Sequence, residues 1–375
     1  MEQNETEILH TLALTYVEGV GPSKAKNLIA FCGSAEAIFK EKKAALLKVP
    51  DIGPVTAASL RSDFSLDRAK AELEFARRYD VHIVLFHSRE YPERLKMCDD
   101  SPILLFSKGN FDLNPKFALS VVGTRTASSY GKQMCQELLS GLSHLKPLVV
   151  SGLAYGIDIC AHRAAMQYKL PTVACLAHGL DRIYPPLHTT AAKEMLYNGG
   201  LLTEFPSGTN PDRELFPTRN RIIAGLSDCT IVVETDKSGG SIITANIANS
   251  YGREVFAYPG RANDQNSAGC NSLIRRNLAA ILNGPEDLIE YMNWNMETNG
   301  VNSQLELFSD LSKDELLIAE LLKSRGRLPV DRISNELNLG LTATSSLLLE
   351  LEFKGVVRSL PGKIYEIVSS LTTRV

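Results

Sequence analysis

The chain has 375 residues, 44% of them hydrophobic and 22% charged, and a formal net charge of −3. That length leaves room for roughly two to four globular domains with sizeable cores. The charge excludes nucleic-acid binding through overall basicity, so any anionic polymer must meet a local patch, and no run approaches the ~18 apolar residues of a membrane span.

The opening MEQNETEILHTLALTY is acidic and lacks the basic flank of a signal peptide, so a cytoplasmic protein is expected. The seven cysteines contain no CxxC pair and sit in apolar stretches, the pattern of buried reduced thiols. The seven histidines are dispersed, and no metal site or cofactor is expected.

Residues 1–65 read as short helices separated by glycine turns. VEGVGPSKAKNLIAFCG (17–33) and VPDIGPVTAASL (49–60) each place an apolar–Gly turn before a helix, as in a tandem helix-hairpin-helix or SAM-like module. Such a turn can offer backbone N–H groups to a phosphate. Asp51 stands where the first copy has glycine, and a packing module without a DNA ligand is the preferred reading.

A charged helix, DRAKAELEFARRY, and two strands, VHIVLF and PILLFSKG, lead into a regular pattern. FALSVVG, PLVVSG, PTVACLA, GLLTEF, CTIVVE and REVFAYPG are apolar strand candidates, most separated by helical periodicity. This alternation predicts an α/β domain over 66–292: an extended Rossmann-like, doubly wound, mostly parallel sheet. Polar residues 293–311 are expected to be a linker. Residues 312–375 read as three helices and a β-hairpin, a winged helix. Its third helix carries Glu350 and Glu352 but a single lysine, Lys354, so partner docking is preferred to DNA reading.

In a parallel sheet, ligands meet the carboxyl ends of the strands. After the first strand, VVGTRTASSYGKQ offers Gly123 for a tight turn and Ser128 as a helix N-cap. Arg125 takes the place of the second glycine of a dinucleotide fingerprint, which blocks close backbone approach to a pyrophosphate but supplies a bidentate phosphate fork. The next strand ends in Ser151–Gly152 rather than an acid for a ribose, so a nicotinamide dinucleotide is excluded; Gly123, Arg125, Ser128, Ser151 and Gly152 are instead expected to bind nucleic acid. A Walker A loop fails as well, because Gln133 follows Gly131–Lys132. Ser151, Asp158 and His162 superficially suggest a hydrolase, but the G-x-S-x-G elbow is absent.

Arg213, Phe216, Arg219, Asn220 and Arg221 lie within nine residues after the fourth strand. Cations interleaved with an aromatic suit a single strand, whose bases stack at ~1–3 kcal/mol each. Arg219 and Arg221 are expected to differ: one faces DNA, and the other braces against a carboxylate such as Glu204 or Glu234. After the fifth strand, Ser238, Gly239, Gly240 and Ser241 form a glycine-rich anion cradle at a helix start.

The ordered stretches VVGTRTASSYG, SGLAYGIDICAHRAAM, GLDRIYP, TEFPSGTNPDRELFPTRNRIIAGLSD, VVETDKSGGSIITANIA and GREVFAYPG with SAGCNSLI resemble the DNA-processing protein A family (DprA, also called Smf). The resemblance implies an extended Rossmann fold that binds single-stranded DNA in a basic pocket and forms a homodimer. It implies protection of incoming DNA in natural transformation and loading of the recombinase RecA, without catalysis. On the matching positions, Arg125 is the GxR arginine, Arg213 the basic residue before the aromatic Phe216, and Arg219, Asn220, Arg221, Ser238, Gly239 and Gly240 complete the pocket loops. RRNLAAIL stands where relatives commonly have a Gly-Ala pair, near the family's dimer surface. Two alternatives remain. One is a small-nucleotide sensor. The other is a nucleotide N-glycosidase of the related Rossmann superfamily, against which SGGSIITAN counts because no acid follows before Glu254.

Overall fold

The computed structural model describes residues 2–60, 63–294, 311–354, 356–360 and 363–367. The chain divides into two compact units, Met1–Trp294 and Asn295–Val375. Most of the expected linker, 295–310, lies outside the described residues.

The first unit is built on one nine-stranded sheet. In chain order the strands are β1 (His82–Leu85), β2 (Leu104–Asn110), β3 (Ala118–Val122), β4 (Leu148–Ser151), β5 (Thr172–Cys175), β6 (Gly199–Thr203), β7 (Cys229–Val232), β8 (Glu254–Ala257) and β9 (Ala280–Ile281). Their spatial order is β1-β2-β6-β5-β4-β3-β7-β8-β9. The seven strands from β6 to β9 are parallel, while β2 runs antiparallel to β6 and β1 antiparallel to β2. The sheet is therefore mostly parallel and doubly wound. Strands β3 to β7 are buried at every position. That explains their unbroken apolar runs, since helices cover both faces of a parallel sheet.

Side chains alternate between the faces. Val122, Val150, Val173 and Val232 meet Ile222, Ile223 and Ala224 of the helix Leu215–Gly225 and Ala245 and Ala248 of Gly240–Ser250. On the other face Val121, Val149 and Ile231 meet Leu138 and Leu139 of Ser129–Gly141 and Ala161 and Ala164 of Ile157–Gln167. All seven cysteines are free; Cys32 and Cys160 are half-buried and the others buried.

The N-terminal helices share a small core that includes Leu14, Leu28, Ile38, Leu46 and Leu60. The two glycine turns are a structural repeat. Val20 N–H donates to the Val17 carbonyl at 3.1 Å, and Ile52 N–H donates to that of Val49 at 3.2 Å. Gly19 has φ +78° and Asp51, its counterpart, φ +64°. Asp51 thus adopts the left-handed conformation that glycine supplies in the first copy, one that Asp tolerates better than most residues. A second helical layer, Leu12 and Ala13 against Ala69 and Ala76, packs on Val81, Ile83, Leu104 and Phe106 at the antiparallel end of the sheet.

The second unit is a winged helix. Helices Lys313–Arg325, Val330–Leu337 and Leu341–Phe353 precede the hairpin Val357–Leu360/Ile364–Ile367, which Leu328–Pro329 extends. Ser312 starts its first helix with a capping box, its side chain accepting from Glu315 N–H while Glu315 accepts from Ser312 N–H.

Candidate nucleic-acid interface

The order of the parallel strands reverses between β3 and β7: β4 lies on one side of β3, and β7 on the other. At their carboxyl ends the connecting loops diverge and leave a crevice, where ligands of doubly wound sheets bind. A cavity of about 710 Å³ occupies that position. One wall is Gly123, Thr124 and Arg125 after β3, another Thr235 and Asp236 after β7 with Gly239, Gly240 and Ser241, and a third Arg213, Phe216, Arg219 and Asn220.

Close backbone packing shapes the first wall. Gly156 has φ +77°, and a Cβ there would sit 2.1 Å from the Thr124 carbonyl oxygen. The loop ahead of helix Ile157–Gln167 therefore lies directly on the Thr124–Arg125 backbone, and Ile157 N–H donates to the Thr124 carbonyl at 3.1 Å. Thr124 N–H donates to the Glu234 carbonyl at 2.7 Å. These bonds fix the segment from which Arg125 projects.

Phe216 lies close to two guanidinium groups. The Arg125 carbon lies 5.5 Å and the Arg219 carbon 5.8 Å from the ring centroid, within cation–π range. The two arginines are otherwise unlike. Arg125 and Arg213 are exposed and make no hydrogen bond or ion pair among the described residues. Arg219 is 4% exposed. It donates to the carbonyls of Gly152, at 2.7 Å, and of Cys175, and its Nε to Asn220 Oδ1 at 3.2 Å. Burial pulls the Arg219 guanidinium below its ordinary range, and the charge of Asp158 opposes that shift. Asp158 itself accepts from Gly152 N–H at 3.1 Å and Ala154 N–H at 3.3 Å, and burial raises its carboxyl while Arg219 lowers it. Arg219 is thus the cavity floor, its charge largely satisfied from within, and Arg125 and Arg213 are the cations open to an anion.

The helix Gly240–Ser250 opens into the cavity with no side-chain cap. Its first N–H groups lack intrahelical partners. Ser241 is 6% exposed, and its Oγ has no hydrogen-bond partner among the described residues.

Five expected site residues are placed elsewhere. Arg221, two positions beyond Arg219, is turned to the opposite side of the helix and pairs with Glu204. Ser128 caps its helix, accepting from Gly131 N–H at 3.2 Å, and its hydroxyl donates to Glu234 Oε1. Ser151 donates to the Val121 carbonyl at 2.6 Å inside the sheet. Gly152 makes room for the Arg219 guanidinium, whose atoms a Cβ would meet at 2.6–2.7 Å. Ser238 is exposed on its loop, outside the cavity wall.

Sequence reasoning missed Tyr184, a half-exposed ring 6.2 Å from Phe216 on the cavity wall. The signal was the Tyr–Pro pair in a segment between β5 and β6 too long for a plain connection. The hydrolase-like trio does not assemble: His162 Nδ1 bonds Thr172 Oγ1 at 2.7 Å, and burial pushes its imidazole down to about 3. Among the described residues no group of His, Cys, Asp and Glu could hold a metal, and no helix is long and apolar enough to cross a membrane.

Comparison with known proteins places these features in a family. Residues 82–293 match the profile of DNA recombination-mediator protein A, residues 11–65 that of a SAM-like helix-hairpin-helix tandem, and residues 309–363 that of the DprA winged helix domain. The putative DNA processing protein DprA of Mycobacterium tuberculosis is 35% identical over 284 residues, 72% of each chain. Protein Smf of Escherichia coli is 35% identical over 285 residues, 75% of this chain and 76% of that one. Among solved structures, DNA processing protein A of Streptococcus pneumoniae superposes with a TM-score of 0.60 at 28% identity, covering 76% of this chain and 97% of that one. DNA processing protein A of Helicobacter pylori, described for its single-stranded DNA binding mode, superposes at 0.52 with 27% identity, covering 57% of this chain and 96% of that one.

Proposed function

The chain belongs to the DNA recombination-mediator protein A family, and from that membership we propose that its switch-point cavity binds single-stranded DNA without catalysis. The observation that carries this reading is Phe216 within cation–π range of both Arg125 and Arg219, on one cavity wall with the exposed Arg213. Unstacked bases lie on the Phe216 and Tyr184 rings, while Arg125, Arg213 and the first N–H groups of helix Gly240–Ser250 take phosphates. A duplex hides its base faces and gains nothing from the rings. The protein works as a homodimer in the cytoplasm, protects incoming strands in natural transformation and helps load RecA onto them; the family resemblance supports that role.

Fluorescence polarisation with labelled oligo-dT tests the reading. The expected result is tighter binding of single-stranded than of double-stranded DNA, weakening steeply with salt. Arg125→Ala should lower affinity and shorten the log–log salt slope by about one unit. Equal binding of duplex, or full affinity in Arg125→Ala, would refute the assignment.

A second reading, a small-nucleotide sensor, draws on the unpartnered Ser241 hydroxyl at the helix start. It requires a mononucleotide to displace oligo-dT at low concentration. Release of free base from a nucleoside monophosphate by the pure protein would instead mark it as an enzyme.

A further inference from the structure

Two of the residues that define the cavity, Arg213 and Phe216, follow directly on a loop that has few apolar anchors of its own. Its fixed points are polar. Gly208 N–H donates to Asp181 Oδ1 at 2.9 Å, and Arg182 donates to Asn210 Oδ1. A further anchor comes from the helix Asp63–Arg78, which packs on the N-terminal helices. Glu72, on the helix Asp63–Arg78, is 1% exposed. It accepts both Ser207 N–H, at 2.8 Å, and Ser207 Oγ–H, at 2.6 Å. Arg68, one turn earlier, pairs with Glu72 at 2.9 Å and donates to the Ser207 carbonyl. Tyr16, just beyond the helix Glu2–Thr15, donates to the same carboxylate at 3.4 Å. A buried carboxylate that takes the N–H and hydroxyl of one loop residue, while its arginine neighbour takes the carbonyl, holds that residue at all three of its polar groups.

A second tie reaches the far side of the same segment. Lys26 donates to the Asp99 carbonyl and to Ser101 Oγ, each at 2.8 Å. Arg221, on the helix that carries Phe216, donates to the Asp100 carbonyl between them. The helices therefore hold the segment directly at Ser207, and beyond Phe216 they share with Arg221 the loop 99–101.

We infer that Glu72 is a positioning residue for the cavity: through Ser207 it sets the loop that presents Arg213 and Phe216, so the helix Asp63–Arg78 governs DNA affinity without touching DNA. This inference rests on the functional reading above.

The sign of the effect separates positioning from charge. Removing a carboxylate near an anion site, acting through charge alone, tightens DNA binding. Positioning predicts the reverse. In the polarisation assay with full-length protein and oligo-dT, Glu72→Gln should weaken binding roughly tenfold, as expected when charge-assisted loop bonds are lost. The salt slope should shorten by less than the unit lost in Arg125→Ala, because Arg213 keeps its charge and is displaced, not removed. Glu74→Gln, exposed on the same helix, makes the same charge change and should leave affinity within about twofold. In Glu72→Gln/Phe216→Ala the two losses should be sub-additive, because both act through one ring. Ser207→Ala deletes a single hydroxyl, leaves Glu72 paired with Arg68, and should weaken binding roughly threefold, so a Glu72 variant that fails to fold does not shield the inference.

Equal or tighter binding by folded Glu72→Gln, unaltered binding by Ser207→Ala, or full additivity with Phe216→Ala would overturn it. If the unsubstituted protein does not bind oligo-dT, the functional reading falls and this inference with it. If it binds and Arg125→Ala loses the DNA while Glu72→Gln does not, the inference alone falls.

Discussion

Replacing Arg219 with methionine keeps the unbranched stem and deletes the guanidinium with its charge. Four groups then lose their complement: the carbonyls of Gly152 and Cys175, Asn220 Oδ1 and the buried carboxyl of Asp158. Two hydrogen bonds from a charged donor contribute ~1.5–3 kcal/mol each. Stranding one member of a buried charge pair costs ~3–5 kcal/mol. Both routes give the same range, so Arg219→Met should destabilise the first unit by about 3–5 kcal/mol. The assay is urea unfolding followed by tryptophan fluorescence. Trp294 is the chain's single tryptophan, buried against Phe117 with ring centroids 5.0 Å apart. The loss should also depend on pH. Burial holds the Asp158 carboxyl above the ordinary carboxylate range and Arg219 pulls it down, so the variant raises it further. A raised carboxyl is tolerated while protonated and costs stability as pH climbs through its folded value. The defect should therefore be smaller near about pH 5 than near about pH 8. Arg125→Met, exposed, should shift stability by less than ~0.5 kcal/mol. If Arg219→Met unfolds with the unsubstituted protein yet loses DNA, Arg219 serves the ligand and not the floor, and the reasoning is wrong.

Phe216→Ala should remove ~1–3 kcal/mol of oligonucleotide affinity, while Phe216→Tyr, which keeps a stacking face, retains most of it in the same polarisation assay. Gly152→Ala drives a methyl group into the Arg219 guanidinium and should cost ~1–3 kcal/mol, read as a lower melting temperature by calorimetry. Ser312→Ala removes the capping box of the winged helix and should cost ~1 kcal/mol, visible as faster amide exchange in the first turn of Lys313–Arg325 with the first unit unchanged.

The parallel core was legible because its strands, buried on both faces, are written as unbroken apolar runs such as VVG and TIVV. β9 was not, because the two residues Ala280–Ile281 carry no periodicity of their own and become a strand by lying beside β8. The sequence could already state that Arg219 and Arg221 part company, since residues two apart on a helix point about 200° from each other. It could not say which way, because the choice rests on Glu204 lying beneath one face and the Gly152 and Cys175 carbonyls beneath the other. Ser128 shows the other limit. Its capping role is local and was readable, but its loss as a ligand comes from Glu234, more than a hundred residues on. Gly152 was expected among the nucleic-acid-binding residues, and the guanidinium that fills the space beside it comes from a different strand connection.

β3 lies between β4, its immediate successor, and β7, which follows more than a hundred residues later. β2 likewise waits for β6, with Phe106 opposite Thr203. A chain emerging from a ribosome therefore holds β3 half-paired, and β2 paired to β1 alone, for much of its synthesis, and such non-local pairings close slowly. The cavity walls after β3 and β7 meet only when β7 inserts. Completing the sheet and creating the site are one event, so partly made chains carry Arg125 and Phe216 but have no crevice to offer a strand.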